Sequence, residues 1–197
     1  MPSWGDPAPE LLIIGLAPGL RGANRTGRPF TGDFAGDLLY RTLLKFGLAA
    51  GGYRADPADG LELRRVKIAN AVRCVPPQNK PAPGEIAACR RFLAAELATL
   101  PRLRAMLALG AIAHNAVVAA KGLRPARCRF AHGAMHELPD GILLADSYHC
   151  SRLNTNTGRL SAAMFEAVFA TVLDRLAVGG GTHPAMRDTH GTTAAPR

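Results

Sequence analysis

Apolar residues fall along this chain in short unbroken runs and in helical stripes, and the two kinds alternate. Leu11-Leu12-Ile13-Ile14 is a continuous apolar run closed by Gly15 and, a little later, Pro18. A strand with no polar face is one covered on both sides, as in a parallel sheet. From Gly36 to Leu48, Leu39, Leu43 and Phe46 recur at helical spacing, and Gly47 and Gly51-Gly52 break the pattern. Val66–Val72 reads as a second strand, Glu85–Leu100 as a helix, Met106–Leu109 as a third strand and Ala111–Lys121 as a helix. Ile142–Ala145 reads as a fourth strand, and Ser161–Leu176 places Met164, Phe165, Val168, Phe169 and Val172 on one face of a last helix. This alternation predicts an α/β fold, a three-layer α/β/α sandwich around a central, mainly parallel four-stranded sheet. Such sheets bind ligands beyond the carboxyl ends of their strands, so the loops after Ile14, Val72 and Ala145 are expected to converge on one site.

Composition sharpens this picture in three ways. The chain has 197 residues, 48% of them hydrophobic, enough for one domain with one core, expected over residues 1–177. Residues 178–197 have no apolar period and many breakers, and read as a disordered C-terminal tail. Lysine and arginine number 24 against 15 acids, and the net charge of +9 favours a polyanionic partner. The longest apolar runs are far below the length of a membrane span, and no basic-apolar-small order marks a secretory signal, so no membrane association and a cytoplasmic, nucleoid-associated location are expected. In that reducing setting the widely spaced Cys74, Cys89, Cys128 and Cys150 read as thiols or metal ligands rather than disulfides.

The first loop carries glycines at 15, 19, 22, 27, 32 and 36 together with Asn24, Arg25 and Arg28. Glycine lets the backbone approach a ligand closely, and a helix start offers free N–H groups to an anion. A ligand-free glycine-rich connection is the plainer reading. No Gly-Lys-Ser/Thr follows and the spacing does not match G-x-G-x-x-G, so no nucleotide cofactor is expected. After the fourth strand, Ser147-Tyr148-His149-Cys150-Ser151-Arg152-Leu153-Asn154 opens a long polar loop. His149 is the histidine placed where the fold gathers ligand contacts, whereas His114, His132, His136, His183 and His190 read as structural or solvated.

Gly15-Leu16-Ala17-Pro18-Gly19, Asn24-Arg25-Thr26-Gly27-Arg28-Pro29-Phe30-Thr31-Gly32-Asp33, Asn70-Ala71-Val72-Arg73-Cys74-Val75-Pro76-Pro77 and the His149 loop together resemble the type-5 uracil-DNA glycosylases, in order and over roughly residues 3 to 175. The resemblance implies a monofunctional DNA repair enzyme that hydrolyses the N-glycosidic bond of uracil, with hypoxanthine and xanthine as further substrates, leaving an abasic site in DNA. It further implies extrusion of the damaged nucleotide, which is easier at a mispair. Phe30 would stack on the extruded base and Asn70 would read its polar edge, with Gly15, Ala17, Pro18 and Gly19 completing the base site; core packing is the other reading of Phe30. His149 would stabilise charge on the departing base. Related glycosylases hold water with an acid or amide in the first motif, where this chain has Leu16-Ala17. Asp33 is the substitute expected to orient water or stabilise the sugar cation; its other reading is a helix cap, while Asp37 belongs to the helix. Asn24, Arg25, Ser151 and Arg152 are expected to meet DNA, with Arg28, Lys80 and Arg159 as weaker phosphate contacts. The enzyme is expected to be a monomer.

The resemblance also implies a four-cysteine [4Fe–4S] cluster, of which only Cys74 and Cys89 match; the leading Cys-x-x-Cys pair is absent. Cys128 and Cys150 do not fit by spacing, and Cys150 stands where the family usually has proline. Either the chain begins late or the cluster has been lost, and the retained Cys74 and Cys89 favour a late start. A non-catalytic DNA-damage binding module without its cluster is the alternative expectation.

Overall fold

The computed structural model describes residues 1–178. Its central sheet has six strands rather than four, in the order β1-β5-β2-β6-β8-β7. The four expected strands are its parallel middle: β2 (Leu11–Gly15), β5 (Val66–Asn70), β6 (Ala105–Leu109) and β8 (Leu143–Ser147). The two additions are antiparallel edges, β1 (Trp4–Gly5) and β7 (Met135–Glu137). Both are too short and too little buried to leave a period in the sequence. A separate ribbon pairs β3 (Ala49–Ala50) with β4 (Glu62–Leu63).

Alternation along β2 explains the layers. Leu11 and Ile13 enter one apolar cluster, with Leu39 and Leu43 of α2 (Phe34–Lys45) and Phe165, Phe169 and Val172 of α6 (Ala162–Val178). Leu12 and Ile14 enter the other, with Leu93 and Leu97 of α3 (Pro83–Ala98) and Val117 of α4 (Ala111–Ala120). A five-residue strand buried on both faces therefore joins two cores. Two short helices, α1 (Ala23–Thr26) and α5 (Arg152–Asn156), stand in the loops after β2 and β8. Val178 closes α6, and residues 179–197, where most of the expected tail falls together with His183 and His190, lie outside the described residues.

Two boundaries matter for the site. Helix α2 begins at Phe34, two residues before Gly36, because Asp33 caps it by accepting from Gly36 N–H at 3.1 Å. Strand β8 runs two residues past Ala145, so Asp146 and Ser147 are fully buried sheet residues rather than loop.

Candidate active site

The loops after β2, β5 and β8 meet at the carboxyl edge of the sheet around a cavity of about 430 Å³. Its walls include Leu16, Ala17, Gly19, Phe30, Asp33, Asn70, His149, Ser151 and Arg152. Thus both residues expected to act in catalysis and most of those expected to hold the base come together from three separate segments. The volume lies within the range usual for small-molecule sites.

Glycine at 15 makes the floor possible. A Cβ there would lie 2.6 Å from Asn70 Oδ1 and 2.7 Å from the Phe30 ring, so only a bare backbone lets these side chains close over β2. Gly15 and Pro18 are buried behind the lining rather than in it. Phe30 is 6% exposed and packed into the α2–α6 core, and its ring also faces the cavity. It stacks against the His149 imidazole with centroids 5.9 Å apart. Its backbone φ of +54° is left-handed, a strained state for an aromatic residue that surrounding contacts must enforce.

Asp33 both caps α2 and lines the cavity. One carboxylate oxygen caps α2, while the other lies over Gly19 and Gly22, where a Cβ on Gly22 would come within 2.9 Å. Burial raises its pKa above the ordinary carboxylate value, against the backbone hydrogen bonds that lower it. Burial has the opposite effect on His149, pushing its imidazole down to about 4, so it is neutral near pH 7. Asn154 Nδ2 donates to the His149 carbonyl at 2.8 Å, tying the histidine to α5. Ser151 caps α5 by accepting from Asn154 N–H, and the Arg152 guanidinium lies 5.2 Å over the Phe34 ring at the cavity mouth.

Other expected contacts sit elsewhere. Asn24 and Arg25 are exposed on α1, outside the lining. Lys80 is exposed, and Arg159 lies over the Tyr148 ring at 4.4 Å. Arg28 is a correction: 3% exposed, it pairs with Asp59 at 2.7 Å and is closed off from a phosphate. Phe34 and Ala35 also line the cavity and are missed in sequence because placing the helix start at Gly36 leaves the phase of its first turn unread; Ala23, another lining residue, lies on α1, which at four residues is too short to carry a period.

The thiols do not form one set. Cys74 is exposed after β5 and Cys89 is half-buried on α3, while Cys128 and Cys150 are buried in opposite layers. Burial pushes the Cys150 thiol up to about 12, and its Sγ–H donates to Ala35 O at 3.4 Å. All four cysteines of the sequence are thereby placed, and their arrangement does not fit a four-thiolate cluster. His114, His136 and Asp146 bring three potential metal-ligand atoms within 4.8 Å of one another. His114, however, has acceptors at both nitrogens, Asp146 Oδ1 at 2.7 Å and the Cys128 carbonyl at 2.9 Å. Both ring nitrogens are thus engaged by hydrogen-bond partners rather than turned toward a metal, an arrangement that suits an imidazolium beside a carboxylate. Burial pulls its pKa down, but the hydrogen bonds to Asp146 and the Cys128 carbonyl together with the Asp146 charge outweigh that pull, and its pKa is raised.

No helix among the described residues is long and apolar enough to cross a membrane. A family model described as the uracil DNA glycosylase superfamily matches residues 2–173. A type-5 uracil-DNA glycosylase of Thermus thermophilus is 50% identical over 165 residues, covering 84% of this chain and 75% of that protein. One of Mycobacterium bovis is 43% identical over 171 residues, covering 86% of this chain and 64% of that protein. One of Pyrobaculum aerophilum is 40% identical over 181 residues, covering 92% of this chain and 76% of that protein. With the family model matching nearly the whole described chain and a cavity where such sheets bind ligands, this protein belongs to the uracil DNA glycosylase superfamily.

Proposed function

We propose that this chain is a DNA repair glycosylase that hydrolyses the N-glycosidic bond of uracil in DNA and leaves an abasic site. The observation that carries the reading is the meeting of Phe30, Asn70, Asp33 and His149 in one cavity, in a chain akin to proteins named type-5 uracil-DNA glycosylases. An extruded uracil enters the cavity with one face against Phe30 and its polar edge toward Asn70. As the bond breaks, positive charge builds on the sugar and negative charge on the base. His149, neutral because it is desolvated, donates an N–H to the base oxygen that gains charge. Asp33, ionised, faces the sugar side, where it orients water or stabilises the cation. Its burial strengthens that interaction while raising its pKa.

The cavity is lined by Leu16 and Ala17 where a bulkier polar residue would narrow it, which supports hypoxanthine and xanthine as further substrates. Exposed Asn24, Arg25 and Arg152 and half-buried Ser151 are the DNA contacts around the mouth. Two thiols fall short of a four-thiolate cluster, so no step is assigned to one. A binding module without catalysis is not favoured, since Asp33 and His149 both face the cavity. Base release from duplexes carrying uracil, hypoxanthine or xanthine tests the proposal. Uracil release by the wild-type chain is expected, and its absence under single-turnover conditions contradicts the reading.

A further inference from the structure

Behind the pocket wall, residues 54–61 form an excursion between the strands of the β3–β4 ribbon, and Asp59 is 5% exposed within it. Its carboxylate takes four hydrogen bonds. Arg28 Nη1 and Nη2 donate at 2.7 and 2.8 Å, and the backbone N–H groups of Arg54 and Leu61 donate at 2.9 and 3.0 Å. The Arg28 guanidinium lies 5.2 to 5.7 Å from the ring centres of Trp4, Tyr40 and Tyr53, so an aromatic cage encloses the pair. Arg28 Nε donates to Thr31 Oγ1 at 2.7 Å, which ties the guanidinium to both sides of Phe30 in sequence.

The same cage grips the backbone of the pocket loop. Tyr40 Oη donates to the Pro29 carbonyl and Tyr53 Oη to the Phe30 carbonyl at 3.2 Å. Gly36, in the first turn of α2, leaves no room for a side chain, since a Cβ would overlap the Phe30 carbonyl and meet the Tyr53 hydroxyl. Every one of these contacts acts on the segment that holds Phe30 in its left-handed conformation and delivers Asp33 to the helix cap. A strained residue persists only where its surroundings over-determine it, and here the surroundings are the cage.

We propose that Asp59, which does not line the cavity, is a positioning residue for base removal: through Arg28 and the Trp4–Tyr40–Tyr53 cage it holds Phe30 and Asp33 in register with the extruded base. This rests on the reading of the cavity as the base site. A plain stabilising ion pair would affect folding alone. A positioning pair affects the rate of bond cleavage at saturating enzyme more than the binding of DNA, whose phosphate contacts lie elsewhere.

The test compares Asp59→Asn, Tyr53→Phe and Glu10→Gln with wild type. Glu10 is a suitable control because it anchors an ion-pair cluster of its own, more exposed than the Arg28–Asp59 pair, with Arg65 at 2.7 Å and Arg102 at 3.4 Å, just ahead of β2 at the end of the sheet away from the cavity. Three quantities are read at a temperature where each variant is folded: single-turnover release of uracil, affinity for a duplex with a stable abasic analogue, and thermal midpoint. Asp59→Asn is expected to lower the rate about tenfold to a hundredfold with affinity nearly unchanged, and Glu10→Gln to lower the midpoint without lowering the rate. If Asp59→Asn does not fold, Tyr53→Phe, which removes only the hydroxyl on the Phe30 carbonyl, decides by a severalfold rate loss at little cost in midpoint. A wild-type rate in folded Asp59→Asn or in Tyr53→Phe, or rate losses that follow midpoint equally in Glu10→Gln, overturns the inference while leaving the site reading intact. A wild-type chain that releases no uracil overturns both.

Discussion

Two buried carboxylates outside the cavity lining, Asp59 and Asp146, are of the same type but have different partners. Behind the loop after β2, Asp59 pairs with Arg28, a cation at every accessible pH. Behind the loop after β8, Asp146 pairs with His114, a cation only while its imidazole keeps both protons. Arg28 holds Asp59 well below the usual carboxylate range, so the first pair weakens only in acid. The raised pKa of His114 means that the second pair is complete at low pH and weakens as pH rises through that value. One buried pair is thus set by permanent charge and the other by a proton.

Removing each carboxylate breaks this comparison with the largest effect. Asp59→Ala leaves a buried cation that cannot deprotonate, and a loss of about 3 to 5 kcal/mol in chemical denaturation is expected near neutral pH; Asp146→Ala is expected to cost less, since His114 can shed its proton once its partner is gone. The loss for Asp146→Ala shrinks toward alkaline pH as His114 sheds its proton, whereas that for Asp59→Ala does not. Parallel pH dependence of the two losses would remove the distinction.

Within the cavity, Phe30→Ala is expected to weaken capture of a flipped uracil by about 1 to 3 kcal/mol, the usual worth of one aromatic stack on a base. Competition binding with a non-hydrolysable uracil nucleotide in duplex DNA checks it. A smaller effect runs the other way for Asp33→Asn. The folded-state pKa of Asp33 is raised, so its ionised form costs stability once pH passes that value, and asparagine still caps α2. Its thermal midpoint is expected to exceed that of wild type near neutral pH and to converge with it in acid. Smallest per residue, Arg25→Gln and Arg152→Gln are each expected to reduce the salt slope of DNA binding by nearly one unit, as a lost phosphate contact does, whereas the Arg28–Asp59 pair contributes no such term.

Much of this arrangement was legible in sequence. The run Leu11–Ile14 announces a strand covered on both faces, and its glycine-rich successor announces the pocket loop, because both signals are local. The short edges β1 and β7 were not legible, since two or three residues cannot carry a period. Asp33 and Phe30 each have a structural place that does not take them out of the cavity: one carboxylate oxygen caps while the other faces the cavity, and one ring packs and lines at once. Arg28 was misjudged because a basic residue in a glycine-rich loop suggests phosphate, and its partner lies 31 residues away in a ribbon without apolar pattern. His114 and Asp146, 32 residues apart on separate elements, were hidden for the same reason.

We propose that an ionised Asp33 and a neutral His149 share the work of base removal. It is tested most directly by single-turnover release of uracil from a U·G duplex as a function of pH, for wild type and Asp33→Asn. The wild-type rate should climb through an apparent pKa above the ordinary carboxylate value of 3.8 and show no fall near 6.5, since His149 has already lost its second proton. Asp33→Asn should be slower by about a hundredfold or more near neutral pH, where His149 is neutral in both proteins. A wild-type rate in the folded variant there would overturn this assignment.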